Sequence, residues 1–267
     1  MLLCNYNNKK FKGRILNSLK AQVVTKIMNI IAKKYTLLIG LLLSISLLSG
    51  CATIHGEADP EDPLESFNRA MYGFNDTLDR AILKPVAQGY NAALPDPVSR
   101  GVSNFFSNID DVVVLFNDIL QLKFEQSLSD SARIFFNTTI GLLGIFDVAS
   151  GMDLPKHEED FGQTLGYWGV ETGPYIVLPF FGPSNVRDTV GLIGDAYVNP
   201  LYDVEPEGDR TALTVVNLVD TRAGLLSASK ILKEAALDPY LFVRDAYSQH
   251  RQNLVYDGNP PKEKFDE

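Results

Sequence analysis

Asp62-Pro63-Leu64-Glu65-Ser66-Phe67-Asn68-Arg69-Ala70-Met71, followed by Phe74-Asn75, decides how the rest of the chain is read. Asp62 is of the type that caps free amides at a helix start, Pro63 suits the first turn, and Glu65 falls at capping-box spacing. Phe67, Met71, Phe74, Leu78 and Ile82 recur at steps of three and four, the apolar stripe of an amphipathic helix. Pro85 is expected to end it. The same Asp-Pro device returns at Asp96-Pro97, ahead of Val98, Val102, Phe105, Ile109, Val112, Phe116 and Ile119. A third stripe, capped near Ser129, runs through Ala132, Phe135, Phe136, Thr139 and Ile140. Asp238-Pro239 opens a last helix that should reach about Asn253. Strand signals are few, so the expected fold class is all-α, a bundle of amphipathic helices.

The centre departs from this pattern. Between Phe161 and Gly194, seven glycines interleave with Phe161, Tyr167, Trp168, Tyr175, Phe180 and Phe181. Glycine at that density costs too much backbone entropy for a regular helix. Pro174, Pro179 and Pro183 argue against a central strand. Two readings stand: irregular backbone at a lipid interface, where Trp and Tyr are enriched, or an aromatic mini-core beneath long loops. Gly141-Leu142-Leu143-Gly144-Ile145-Phe146 also reads two ways, as a helix end with a buried turn or as a mobile apolar hairpin. Arg187-Asp188 is either a local pair at a helix start or a place where Arg187 meets a phosphate or carboxylate bidentately.

Upstream, Lys33-Lys34, the apolar run Thr36–Leu48 and Leu48-Ser49-Gly50-Cys51 follow the order of a bacterial lipoprotein signal. The run is about 13 residues where a spanning helix needs about 20. Residues 1–50 are therefore expected to be a signal peptide, with Met28 an alternative start, and Cys51 the acylated N-terminus. Residues 51–61 form a linker too short for a stalk, reaching at most about 35 Å. The folded domain is expected at 62–251 and a disordered polar tail at 252–267. By resemblance to bacterial lipoproteins generally, Ala52 rather than Asp after the cysteine implies sorting to the outer membrane.

Eight of the 24 basic residues and none of the 33 acids lie in the leader, leaving the exported part a formal charge near −17. Nucleic acid is an unsuitable partner for such a chain. Cys4 and Cys51 are the only cysteines, so the exported domain has no disulfide and must fold by burial alone. His55, His157 and His250 sit at no metal-ligand spacing, and His157 reads as part of an acidic surface turn with Glu158, Glu159 and Asp160. No nucleophile elbow, phosphate loop or dinucleotide fingerprint occurs. Nothing calls for a metal or cofactor, and the chain is read as a non-enzyme.

Taken together, the landmarks resemble the VacJ/MlaA family of outer-membrane lipoproteins. They are the Asp62–Asn75 segment, Arg133-Ile134-Phe135-Phe136-Asn137-Thr138 with Gly141, Gly144 and Asp147-Val148-Ala149, and Asp160-Phe161-Gly162-Gln163-Thr164-Leu165-Gly166 through Arg187-Asp188. Thr221-Arg222-Ala223 and Asp238-Pro239-Tyr240 match more weakly, and Asp203–Arg210 looks least family-like. The resemblance implies a compact ring-like bundle with Gly/aromatic-rich irregular segments, monotopic in the periplasm-facing leaflet of the outer membrane. Its expected work is to take mislocalised phospholipid from the outer leaflet through an amphipathic channel to a soluble periplasmic carrier, beside a trimeric porin, keeping the membrane's lipid asymmetry. It also implies that Phe74, Asn75, Gly141, Gly144 and Phe146, with Arg187 and Asp188, lie on or control that path. A structural lipoprotein that scaffolds a porin or envelope complex is the alternative. An envelope phospholipase would need a nucleophile and base that no motif supplies.

Overall fold

Pro85 does not end the first helix. A computed structural model describes residues 62–261, which leaves the signal peptide, Cys51 and the last six residues of the expected tail outside the described part. Helix α1 (Glu65–Leu78) passes through a π turn (Asp79–Leu83) into α2 (Lys84–Ala93), without leaving helical geometry. Proline needs no amide partner, and the wider π turn relieves the crowding that a proline ring meets in an α-helix. Asp62 does not cap α1 either. The helix starts without a side-chain cap, while Asp62 is fully buried and accepts from Asn68 Nδ2 at 2.8 Å and from the Tyr240 hydroxyl. The Asp238 cap does form, accepting the Tyr240 and Leu241 amides ahead of α9 (Pro239–Val255), which runs into the stretch expected to be tail.

Helix α3 (Asp96–Leu120) appears where its stripe placed it. Helix α4 (Phe124–Thr139) begins five residues before Ser129, with no side-chain cap. Phe106, Val113 and Val114 of α3 are buried, but otherwise the buried side chains of both helices are polar and many of the large apolar ones face outward. Asn108, Asp111, Asn117, Asp118 and Gln121 recur at near-helical spacing on one side of α3 and its end, and Ser127, Asp130, Arg133 and Asn137 on one side of α4. The two helices pack together through these polar stripes. Phe116, Ile119, Leu122, Phe124, Leu128 and Phe135 are exposed. Across the described residues, nineteen polar or charged side chains are buried against ten hydrophobic ones, the reverse of a water-soluble domain. The expected burial exists, but ionic and amide groups dominate it. Arg133 sits between Asp111 (3.6 Å) and Asp147 (3.4 Å) and donates to the Leu154 carbonyl at 2.6 Å. Removing one partner from such a buried pair costs about 3–5 kcal/mol.

The glycine-rich centre is more regular than its composition suggests. It holds α5 (Phe161–Tyr167), an antiparallel hairpin of β1 (Tyr175–Leu178) and β2 (Gly182–Asn185), and α6 (Val186–Val198). Glycine appears in these helices because they touch. A Cβ on Gly191 would lie 2.5 Å from the Gly162 backbone nitrogen. Pro183 is tolerated because a two-stranded sheet consists of edges alone. The mini-core reading is met in part: Tyr175 and Val177 join Tyr240 in a small core, while Phe180, Phe181, Tyr167 and Trp168 are exposed.

Helix α7 (Glu207–Gly224) packs on α2 and α3, and α8 (Leu226–Ala235) on α2. The contacts then run from α3 to α5 and α6, from α5 to α9, and from α9 through the hairpin back to α1. The fold is predominantly helical, and no helix among the described residues is long and apolar enough to cross a membrane.

Candidate functional site

Two asparagines on one face of α1 take the place of a missing strand. Asn68 donates to the Tyr175 carbonyl at 3.0 Å and accepts the Val177 amide at 2.9 Å. Seven residues on, Asn75 donates to the Leu178 carbonyl at 2.9 Å and accepts the Phe180 amide at 2.8 Å. Spacing of seven keeps both on one side of the helix. Phe74 meets Phe180 edge to face, with ring centroids 5.4 Å apart. Phe180 needs that hold, because its φ of 69° is a left-handed conformation that a bulky residue rarely adopts.

Behind the hairpin lies a charged cluster assembled from α5, α6 and α9. Asp160 caps α5 through the Gln163 amide and is gripped at two points by Arg251, with Nη2 at 2.9 Å. Arg251 Nε donates to Asp188 Oδ2 at 2.8 Å, and the Tyr247 hydroxyl donates to the same oxygen at 2.7 Å. Arg187 Nε donates to Asp188 Oδ1 at 3.0 Å. Burial opposes ionisation of Asp160, but Arg251 outweighs it and holds the carboxyl below its ordinary value. Asp195, desolvated and repelled by Asp160, is pushed up to about 6.

Three cavities border these groups. The first, about 460 Å³, is lined in part by Arg187, Thr172, Tyr247, Arg251, Val170 and Val255. The second, about 240 Å³, shares Tyr247 and Arg251 with it and adds Asp188, Leu178, Phe181 and Leu192. The third, about 410 Å³, shares Pro183 with the second and is lined by Asn75, Val177, Leu225, Leu232 and Val243 with the Arg222–Asp79 ion pair. Polar and apolar walls therefore alternate along one hairpin. A fourth cavity near His157 is separate.

The structure brings Phe74, Asn75, Arg187 and Asp188 to this hairpin and keeps Gly141, Gly144 and Phe146 elsewhere, in a turn after α4 that packs against α3. The 141–146 turn is neither a buried turn nor a loose loop. Leu142, Leu143, Ile145 and Phe146 are exposed, yet the Gly144 amide donates to Asn137 O at 2.8 Å and Phe146 N to Gly141 O at 2.9 Å. Asn104 Nδ2 donates to Ile145 O at 3.1 Å. Nor is His157 in a simple surface turn. Its Nδ1 lies 2.9 Å from buried Asp130, and neighbouring Glu159 is buried with Gln121 and Lys123.

A family model described as MlaA lipoprotein matches residues 60–254. The chain belongs to the MlaA lipoprotein family. It is 37% identical over 228 residues to the intermembrane phospholipid transport system lipoprotein MlaA of Escherichia coli (strain K12), covering 83% of this chain and 89% of that one. The Haemophilus influenzae protein of the same name is 36% identical over 235 residues, covering 85% and 92%. A solved structure described as the structural basis for maintenance of bacterial outer membrane lipid asymmetry matches with a TM-score of 0.65 and 36% identity, over 74% of this chain and 99% of that chain. Within this MlaA-family fold, the sequence assigned no site role to Asn68 or Asp160, which it placed only in motifs, and passed over Tyr247 and Arg251. Their partners lie up to 109 positions away, and no local pattern reports such pairings.

Proposed function

We propose that this protein takes mislocalised phospholipid from the outer leaflet of the bacterial outer membrane and passes it to a soluble periplasmic carrier, preserving lipid asymmetry. The inverted burial carries this reading. A chain with apolar side chains outside and charges inside suits a lipid surround with a polar interior, and MlaA relatives are named as parts of an intermembrane phospholipid transport system. Acylated Cys51 anchors it in the periplasm-facing leaflet, the domain 62–251 sits monotopically in the lipid beside a trimeric porin, and the cavities along the hairpin serve the headgroup and chains. Phe74 and Asn75 hold the hairpin that borders the path. The apolar 141–146 turn, with Gly141, Gly144 and Phe146, meets lipid from a second side.

The test is incubation of the purified lipoprotein with donor vesicles of labelled phospholipid and acceptor vesicles plus carrier. Movement of intact label supports transport. Released fatty acid would replace the reading with a hydrolase, and no movement at all would leave a scaffold.

A further inference from the structure

Two arginines line the first cavity, and they differ in how completely the protein uses them. Arg251 spends all three of its nitrogens on Asp160 and Asp188. Arg187 spends Nε on Asp188, reaches Thr172 Oγ1 only at 3.5 Å with Nη1, and gives Nη2 no partner among the described residues. Its side chain is nonetheless only 6% exposed. Asp188, which neutralises it, is already shared with Arg251, Tyr247 and Asn185. Space for the guanidinium comes from Gly166, where a Cβ would lie 2.8 Å from Nη1. A buried cation lining a cavity with three of its five N–H donors unspent is a poor structural pair. Its planar fork matches two oxygens of one tetrahedral oxyanion.

We propose that the Nη edge of Arg187, with the Thr172 hydroxyl, binds a phosphate oxyanion in this cavity, and that the phosphate is the diester of a phospholipid headgroup. This rests on the lipid-transport reading. Val170 and Val255 in the same lining offer the first methylenes an apolar wall, and a volume of about 460 Å³ lies within the usual range for small-ligand sites. Glu171, the one acid in this lining, is exposed to solvent and makes no ion pair with Arg187 among the described residues.

The test uses the full lipoprotein in detergent, titrated with glycerophosphoglycerol, inorganic phosphate and dihexanoyl phosphatidylglycerol, and followed by calorimetry and by the nitrogen resonances of the arginine side chain. Arg187→Lys keeps the charge beside Asp188 but loses the fork, and should weaken the diester probes about tenfold. Thr172→Val, on an exposed loop, should weaken them two- to threefold at an unchanged melting temperature. Wild-type affinity in both variants overturns the site. Inorganic phosphate binding as tightly as glycerophosphoglycerol overturns the lipid source. Wild-type protein that binds diester through Arg187 but moves no lipid between vesicles would refute transport and leave the site standing.

Discussion

Asn75 receives the backbone amide of Phe180 at 2.8 Å across 105 positions of sequence. With the return bond to the Leu178 carbonyl, one side chain holds the tip of the only hairpin among the described residues.

Asn75→Ala removes both bonds and should lower stability by about 1–3 kcal/mol. The Phe180 amide should then exchange with solvent faster than in the wild type, while amides of α4 stay protected. Equal exchange at Phe180 would mean that the edge-to-face contact with Phe74 alone secures the tip.

Gly141→Ala is expected to be strongly destabilising. Its Cβ would lie 2.1 Å from the Phe146 carbonyl oxygen and 2.5 Å from that of Asn137, both backbone atoms. Overpacking of this kind costs about 1–3 kcal/mol or more. Gly144 has φ of 88° and its Cβ would meet Asn108 at 2.5 Å. Valine at these glycines therefore tests close packing before it tests stiffness. Leu142→Ser with Leu143→Ser is the cleaner probe: both side chains are exposed, so melting in detergent should hardly change while outer-leaflet phospholipid, read by surface lipase digestion, should rise.

Asp118→Asn should flatten the dependence of stability on pH. Burial, with Asp130 alongside, pushes Asp118 up to about 8, so the Asp118 carboxyl keeps its proton near neutrality. Glu159, just before α5, reinforces this, Lys123 opposes it, and His157 faces Asp130. A raised carboxyl keeps in the folded state a proton that the unfolded chain gives up above about pH 4. Its contribution is whole below that value and fades as pH rises through about 8. Asp160 has the opposite sign: its lowered carboxyl stabilises above the ordinary range and fails in acid. Melting between about pH 5 and 8 checks the first effect, and an unchanged slope in Asp118→Asn would refute it.

Cys51→Ser should impair sorting, yet the unlipidated domain, purified and mixed with anionic vesicles, should still partition measurably to lipid. Phe124, Leu128, Phe181 and Tyr197 are each more than two-thirds exposed, and buried apolar area adds to anchoring at an interface. Complete recovery in the buffer fraction would make the acyl chains the whole attachment.

The starts of α3 and α9 and the Asp238 cap were legible in the sequence because they depend on neighbours three and four residues away. Which side of each stripe turns inward was not. Phe116 and Asn117 sit side by side in the chain, and periodicity treats either face as a candidate interior; the surrounding solvent decides, and the sequence does not name it. Glycine misled in a similar way. At Gly162 and Gly191 it permits two helices to touch rather than preventing a helix, and that distinction needs the partner's position. Arg187-Asp188 was readable as a pair, but the spare edge of Arg187 became visible only once Arg251 was seen to take up the rest of Asp188.

The π turn at Asp79–Leu83 has a consequence for how the long first helix keeps its bearings. Asn68 and Ala87, the buried residues of α1 and α2, are nineteen steps apart, which an unbroken α-helix would set about 100° out of line. One residue absorbed by the wider turn reduces the count to eighteen steps, about five whole revolutions, and the two sides come back into phase. Asn68, Tyr72, Asn75, Asp79, Leu83, Ala87 and Tyr90 then form a single unbroken seam of buried and half-buried positions. Deleting exposed Ile82 should therefore preserve the seam while closing the turn, leaving only the crowding of Pro85 to be borne.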